Sequence, residues 1–135
     1  MTVSGFRIRR EALDAIIAHA RAEAPAECCG VLVGRGRSID EAVRARNLAA
    51  SPARFLIDPK DHIDARRAAR DRSLEILGFY HSHPQSPAWP SETDVAEAAY
   101  PDAVYLIASL AGGGVDVRLF HIERGTAVQV ALDVL

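Results

Sequence analysis

The sequence predicts an α/β or α+β protein, a mixed β-sheet flanked by helices, and three observations carry that prediction. Short apolar runs of strand length recur at Cys28–Val33, Leu74–Ser82 and Ala103–Leu110. Between them lie two longer segments with helical spacing, about Arg10–Ala24 and Pro59–Arg72. The order that results is helix, strands, helix, strand, helix, strands, the alternation of a sheet covered by helices.

In chain order, Phe6–Arg9 reads as a short strand. Leu13, Ile16, Ile17 and Ala20 give the first helix one buried stripe, and Pro25 ends it. His19 on this helix has no metal-spaced partner nearby and reads as a surface or boundary residue. Cys28–Val33 is small and apolar, as in a buried central strand, and Gly34 and Gly36 mark the turn that follows. Ile39–Leu48 is a second strand with Glu41, Arg44 and Arg46 toward solvent, and Phe55–Ile57 a short third. Asp58-Pro59 is a helix start, Asp as N-cap and Pro in the first helical position. The helix it opens has a thin apolar stripe of Ile63, Ala65, Ala68 and Ala69, so it lies on the surface with His62 exposed.

Leu74–Ser82 is the central strand, and Pro84 stops it. Pro84, Pro87 and Pro90 recur at every third position, which favours a stiff, extended path. Trp89 in this loop either covers the core edge or walls a groove. Glu92–Ala99 is a short helix closed by Pro101, and Ala103–Leu110 is a buried strand. Gly112-Gly113-Gly114 turns the chain into Val115–Ile122, where His121 reads as structural. Thr126–Val134 is the last strand.

The bulk properties bound the function. With 135 residues, 49% hydrophobic and 25% charged, the chain fits one domain spanning 1–135. A formal net charge of −2 gives no basic field for nucleic acid. Arg66, Arg67, Arg70 and Arg72 read as a solvated helix face. The N-terminus has no long apolar run, so neither a signal peptide nor a membrane span is evident. Cys28 and Cys29 are adjacent, poor disulfide geometry, and read as small core residues; a reducing, cytoplasmic setting is expected.

Chemistry concentrates in Gly78–Asp94, GFYHSHPQSPAWPSETD. His81 and His83 stand two apart on a strand, which puts both imidazoles on one face. Ser91 and Asp94 stand three apart, one helical turn. Taken alone, Ser91-x-x-Asp94 is a capping box and His81-x-His83 means little. Taken together, two imidazoles and a carboxylate converging from a strand end and a helix start can chelate one metal ion. Two His plus a carboxylate, with a fourth position left for water, is an established catalytic zinc set. Glu27, beside the first apolar strand, is either a solvated acid or a general base near that metal.

HSHP, seven intervening residues, then Ser91-x-x-Asp94, with an upstream Glu27-Cys28-Cys29-Gly30, resembles the JAMM (MPN+) metalloprotease motif along the whole chain. The resemblance implies a cytidine-deaminase-like mixed-sheet fold, with Zn2+ held by His81, His83 and Asp94. It implies Glu27 as general base, Ser91 steadying the tetrahedral intermediate, and Ser82 between the ligands. It also implies hydrolysis of the bond after the C-terminal Gly-Gly of a ubiquitin-like or sulfur-carrier protein. The ECCG and FLIDPKDH segments and the compact size are most similar to bacterial members, including the peptidase that releases cysteine from a charged carrier. The alternatives are a non-catalytic protein-binding scaffold of the same fold and a hydrolase of small peptides.

Overall fold

The structure is a computed structural model describing residues 5–135. Its strands are β1 (Phe6–Ile8), β2 (Cys29–Arg35), β3 (Ser38–Ala45), β4 (Glu75–His83), β5 (Val104–Ser109), β6 (Asp116–Glu123), β7 (Thr126–Val130) and β8 (Leu132–Val134). The helices are α1 (Arg10–Glu23), α2 (Pro59–Asp71) and α3 (Glu92–Glu97). The strands form one eight-stranded mixed sheet in the order β7-β6-β5-β4-β2-β3-β1-β8. β4 runs antiparallel to β2 and parallel to β5, and so stands at the centre.

The two faces of the sheet bury different sets of side chains. One face packs Ile8, Leu32, Tyr80, Leu106 and Leu119 against Leu13 and Ile16 of α1. The other packs Val31, Phe79, Ile107 and Phe120 against Ala65 and Ala69 of α2. Each fully buried aliphatic side chain contributes about 1.5–3 kcal/mol, so both helices are held chiefly by these stripes. A register shift where β2 passes from Leu32 to Val33 lets Leu77 and Tyr80 of β4 share the first face while Phe79 takes the second. Gly78 permits close strand pairing, because a Cβ there would lie 1.9 Å from the Val104 carbonyl oxygen.

Several sequence expectations need correction. Thr126–Val134 is not one strand with one partner. It breaks at Ala131, and β7 pairs with β6 while β8 pairs parallel with β1. Because β7 and β8 occupy the two ends of the strand order yet are joined by one residue, the sheet curls until its edges meet. Of Phe55–Ile57, Ile57 makes only an isolated bridge to Asn47. The proline loop is not extended. It folds back so that Trp89 N–H donates to the Pro87 carbonyl at 2.8 Å and Ser109 Oγ donates to the Ser86 carbonyl at 2.6 Å. His19 is buried, not at the surface, and its Nδ1 lies 2.7 Å from the Tyr80 hydroxyl. His62 is half-buried, its ring edge-on to Phe79 and Tyr100. Among the described residues no helix is long and apolar enough to cross a membrane.

Candidate metal centre

Strand alternation, a helix cap and a folded loop bring the candidate residues to one end of the sheet. At the C-terminal end of β4, His81 and His83 point to the same face, and both are buried. Asp94 arrives from α3. Ser91 caps that helix: its Oγ accepts from Asp94 N–H at 3.0 Å, and Asp94 Oδ2 accepts from Ser91 N–H at 2.9 Å. The capping box is therefore present, and it also aims the carboxylate. Asp94 Oδ2 lies 3.1 Å from the Nε2 of His81 and 3.1 Å from the Nε2 of His83, and the two Nε2 atoms lie 3.1 Å apart.

This triangle fits a small cation. The Pro87 carbonyl, 2.8 Å away, can only accept, so His83 Nδ1 donates to it and Nε2 is the nitrogen turned toward Asp94 and His81. Donor atoms of a tetrahedral zinc with bonds of 2.0–2.1 Å stand about 3.3 Å apart, close to these separations. The electrostatics point the same way. Burial lowers the pKa of His81. His83 is raised despite its burial, because Asp94 and the Pro87 carbonyl favour its protonated form. Burial would raise Asp94, but the two imidazoles outweigh it and hold the carboxyl well below the usual range. The cluster calls for a positive charge at its centre.

Glu27 stands outside that triangle but feels the charges of His83 and Asp94. It is only 4% exposed, and its Oε1 is a buried side-chain oxygen with no hydrogen-bond partner among the described residues. Burial pushes its pKa up to about 7, with the His83 charge opposing and the Asp94 charge adding. Leaving a buried polar atom unpaired costs about 1–3 kcal/mol. Its backbone, by contrast, is pinned: Glu27 N–H donates to the Ser51 carbonyl at 2.8 Å, and Asn47 Nδ2 donates to the Glu27 carbonyl at 3.0 Å. Ser82, buried between the two histidines in sequence, accepts from Cys28 N–H at 2.8 Å and ties the start of β2 to β4. The thiols of Cys28 and Cys29 are pushed up by burial to about 11 and about 12, so neither is a ready nucleophile.

Two contributors were invisible in the sequence. Asn47 is the hub of the segment between β3 and α2: its Oδ1 accepts from Ala49 and Leu56 N–H, and its Nδ2 also donates to the Arg54 carbonyl. Phe55, carried on that segment, stacks on His81 with centroids 4.4 Å apart. The short strand expected at Phe55–Ile57 marked this stretch as ordered but did not say what Asn47 or Phe55 would touch. Trp89 packs edge-on against Phe120 and lines neither of the clefts beside the cluster.

Two clefts open at these residues, one at His81 and Asp94 and the other at Glu27. One, about 120 Å³, is lined by Phe55, Ile57, His81, Asp94, Ala98 and Tyr105 among others. The other, about 530 Å³, is lined by His19, Glu23, Glu27, Arg44, Arg46 and Asn47 among others.

A curled mixed sheet with a His-x-His strand end, an aspartate from a capped helix and a buried glutamate defines a JAMM-type hydrolase. The profile described as prokaryotic homologs of the JAB domain matches residues 9–122, and the chain belongs to that family. It is 40% identical over 116 residues to the desampylase of Haloferax volcanii, covering 81% of this chain and 84% of that protein. It is 36% identical over 110 residues to the CysO-cysteine peptidase of Mycobacterium tuberculosis, covering 80% and 75%. A solution structure from Desulfitobacterium hafniense superposes with a TM-score of 0.84 at 32% identity, over 96% of this chain and 92% of that one. A structure described as a JAMM metalloprotease-like zinc site in the proteasome and signalosome shares the fold, with a TM-score of 0.64 at 18% identity, covering 98% and 99%.

Proposed function

We propose that this chain is a cytoplasmic, zinc-dependent peptidase that cleaves the bond after the C-terminal Gly-Gly of a ubiquitin-like or sulfur-carrier protein. His81, His83 and Asp94 hold the metal. Glu27 is the proton carrier and Ser91 the oxyanion donor. The observation that carries the reading is the convergence of three ligand atoms, together with the buried Oε1 of Glu27, which has no partner among the described residues; that carboxyl has its pKa pushed up to about 7 by burial and feels the charges of His83 and Asp94. Bound zinc supplies a Lewis acid and a water acidified toward neutral pH.

The chain's own residues do the rest. Glu27 takes a proton from the attacking water and delivers it to the departing nitrogen as the C–N bond breaks, leaving a carboxylate and an amine. A carboxyl with a pKa of about 7 is suited to both halves of that exchange. Ser91 Oγ spends a lone pair on Asp94 N–H, so its own proton remains available to the developing oxyanion. The narrow cleft at His81 and Asp94 suits glycines, which carry no side chains to clash. The names of the relatives, a desampylase and a CysO-cysteine peptidase, support a protein-conjugate substrate.

A scaffold of the same fold would gain nothing from burying Glu27 unpaired, at a cost of about 1–3 kcal/mol. The test is to offer the purified protein several Gly-Gly-extended carriers and follow the products by mass. Release of the carrier ending in Gly-Gly supports the reading. No release from any carrier by zinc-loaded protein overturns it.

A further inference from the structure

Alternate residues of β4 do two different jobs. His81 and His83 turn to the metal centre, so Tyr80 and Ser82 turn to the opposite face of the sheet. On that face they grip the connection from α1 to β2, which carries Glu27. The Tyr80 hydroxyl lies 2.7 Å from Nδ1 of His19 on α1. Gly30 makes room for that ring, because a Cβ there would lie 2.1 Å from a Tyr80 ring carbon. At the other end of the connection, Ser82 Oγ accepts from Cys28 N–H at 2.8 Å, and Ser82 N–H donates to the Cys28 carbonyl at 3.1 Å.

The Cys28 N–H and the Glu27 carbonyl belong to one peptide unit. That carbonyl accepts from Asn47 Nδ2 at 3.0 Å, and Glu27 N–H donates to the Ser51 carbonyl at 2.8 Å. Both peptides that flank the Glu27 Cα are thus fixed. The carboxyl itself is not held in the same way, since its Oε1 has no partner among the described residues. Its direction is therefore set by the backbone that bears it. Two of the three backbone anchors come from the segment between β3 and α2. The third, Ser82, is fully buried and stands between the two imidazoles on the strand that carries them.

We propose that Ser82 is a positioning residue: through the Glu27–Cys28 peptide it sets the distance and direction of the Glu27 carboxyl relative to the ligand atoms of His81 and His83. The inference rests on the peptidase reading above, in which Glu27 moves the proton, and names what places that carboxyl. Ser82 acts through Glu27 and touches neither substrate nor metal. The ion's own ligands, His81, His83 and Asp94, do not depend on this hydroxyl. Loss of the tie should therefore impair proton transfer and spare metal binding. A shift of about 1 Å in a reacting group can cost about 10²-fold in rate, so one short hydrogen bond is enough to matter.

Two measurements test it. The first uses zinc-loaded protein and a Gly-Gly-extended carrier. Ser82→Ala is expected to lower kcat about ten- to hundredfold while KM and zinc content hold, and Ser82→Thr, which keeps the hydroxyl, to recover most of that loss. In a Glu27→Gln background, Ser82→Ala is expected to cost less than about twofold more, because residues that act through one another are not additive. A Ser82→Ala enzyme with native kcat overturns the proposal, and so does one that loses the same factor in both backgrounds. The second needs neither turnover nor metal: hydrogen exchange of the Glu27 and Cys28 amides is followed by NMR in metal-free protein. Ser82→Ala is expected to speed both by about five- to tenfold relative to the β5 amides, the worth of one hydrogen bond. Unchanged exchange at Glu27 overturns the proposal. Faster exchange in a protein that cuts no carrier fails the peptidase reading and leaves Ser82 as the residue that positions Glu27.

Discussion

Ser91 and Asp94 satisfy each other twice, side chain to backbone in both directions, at 2.9 and 3.0 Å. The same Asp94 oxygen that accepts from Ser91 N–H stands 3.1 Å from two imidazole nitrogens. A structural cap and a candidate ligand are thus one object, and α3, only six residues long, is stiffened where the chemistry needs it. Separating the two roles of Ser91 is the first use of the structure.

Ser91→Ala removes both the cap and the hydroxyl donor. It is expected to cost about 1 kcal/mol of stability, a few degrees in Tm, and about 10²–10³ in kcat. Ser91→Gly, a tolerated N-cap, should cost only a few tenths of a kcal/mol and still lose the same factor in kcat. Thermal melts and steady-state rates on the two variants check this. A Ser91→Gly enzyme with native kcat would reduce the serine to a cap.

Glu27 lies on both sides of a trade between activity and stability. Its folded pKa of about 7 stands above its ordinary 4.5. The stability that goes with the neutral form is complete below pH 4.5 and is lost as pH rises through about 7. The loss is on the order of 3 kcal/mol, since each pKa unit corresponds to about 1.4 kcal/mol. In metal-free protein, Glu27→Gln is therefore expected to match the native chain near pH 4 and exceed it in stability at pH 8. The same variant should keep its zinc and lose turnover by about 10²–10⁴. Urea titrations across this range, with zinc content and rates, check both halves.

Asp94→Asn preserves the shape that accepts from Ser91 N–H but removes the charge between the imidazoles. It is expected to leave α3 in place and to purify with well under one zinc per chain. Chelation of the native protein should lower Tm, because a ligand that binds only the folded chain adds stability by mass action. Elemental analysis and melts with and without chelator measure these effects.

Asn47→Ala removes an acceptor from Ala49 and Leu56 N–H and a donor to the Glu27 and Arg54 carbonyls. A loss of about 1–3 kcal/mol in stability is expected. Because Phe55 and the Glu27 backbone are held by the same segment, kcat should fall while zinc content is retained. Loss of zinc with unchanged kcat per bound metal would contradict this role.

How far these features were legible in the sequence depends on how local their causes are. The pairing of His81 with His83 follows from strand period and the stop at Pro84, and Asp94 follows from its one-turn spacing to Ser91. The burial of Glu27 does not follow from its neighbours, since Asn47 and Ser51, which pin its backbone, come from another segment; its place beside an apolar strand left a solvated acid and a general base both open, and the motif resemblance favoured the second. His19 was misplaced at the surface because its partner Tyr80 lies 61 residues away, in a space that exists only because residue 30 is glycine. Thr126–Val134 keeps a strand's character throughout. What changes at Ala131 is the partner strand, which no local periodicity encodes.

The most direct test of the metal centre is the zinc X-ray absorption spectrum of the purified protein. A first shell of nitrogen and oxygen alone at about 2.0–2.1 Å, including two imidazoles and lost in Asp94→Asn, is the expected result. A sulfur shell at about 2.3 Å, which would place the ion on Cys28 or Cys29, or protein that takes up no zinc at all, would contradict it.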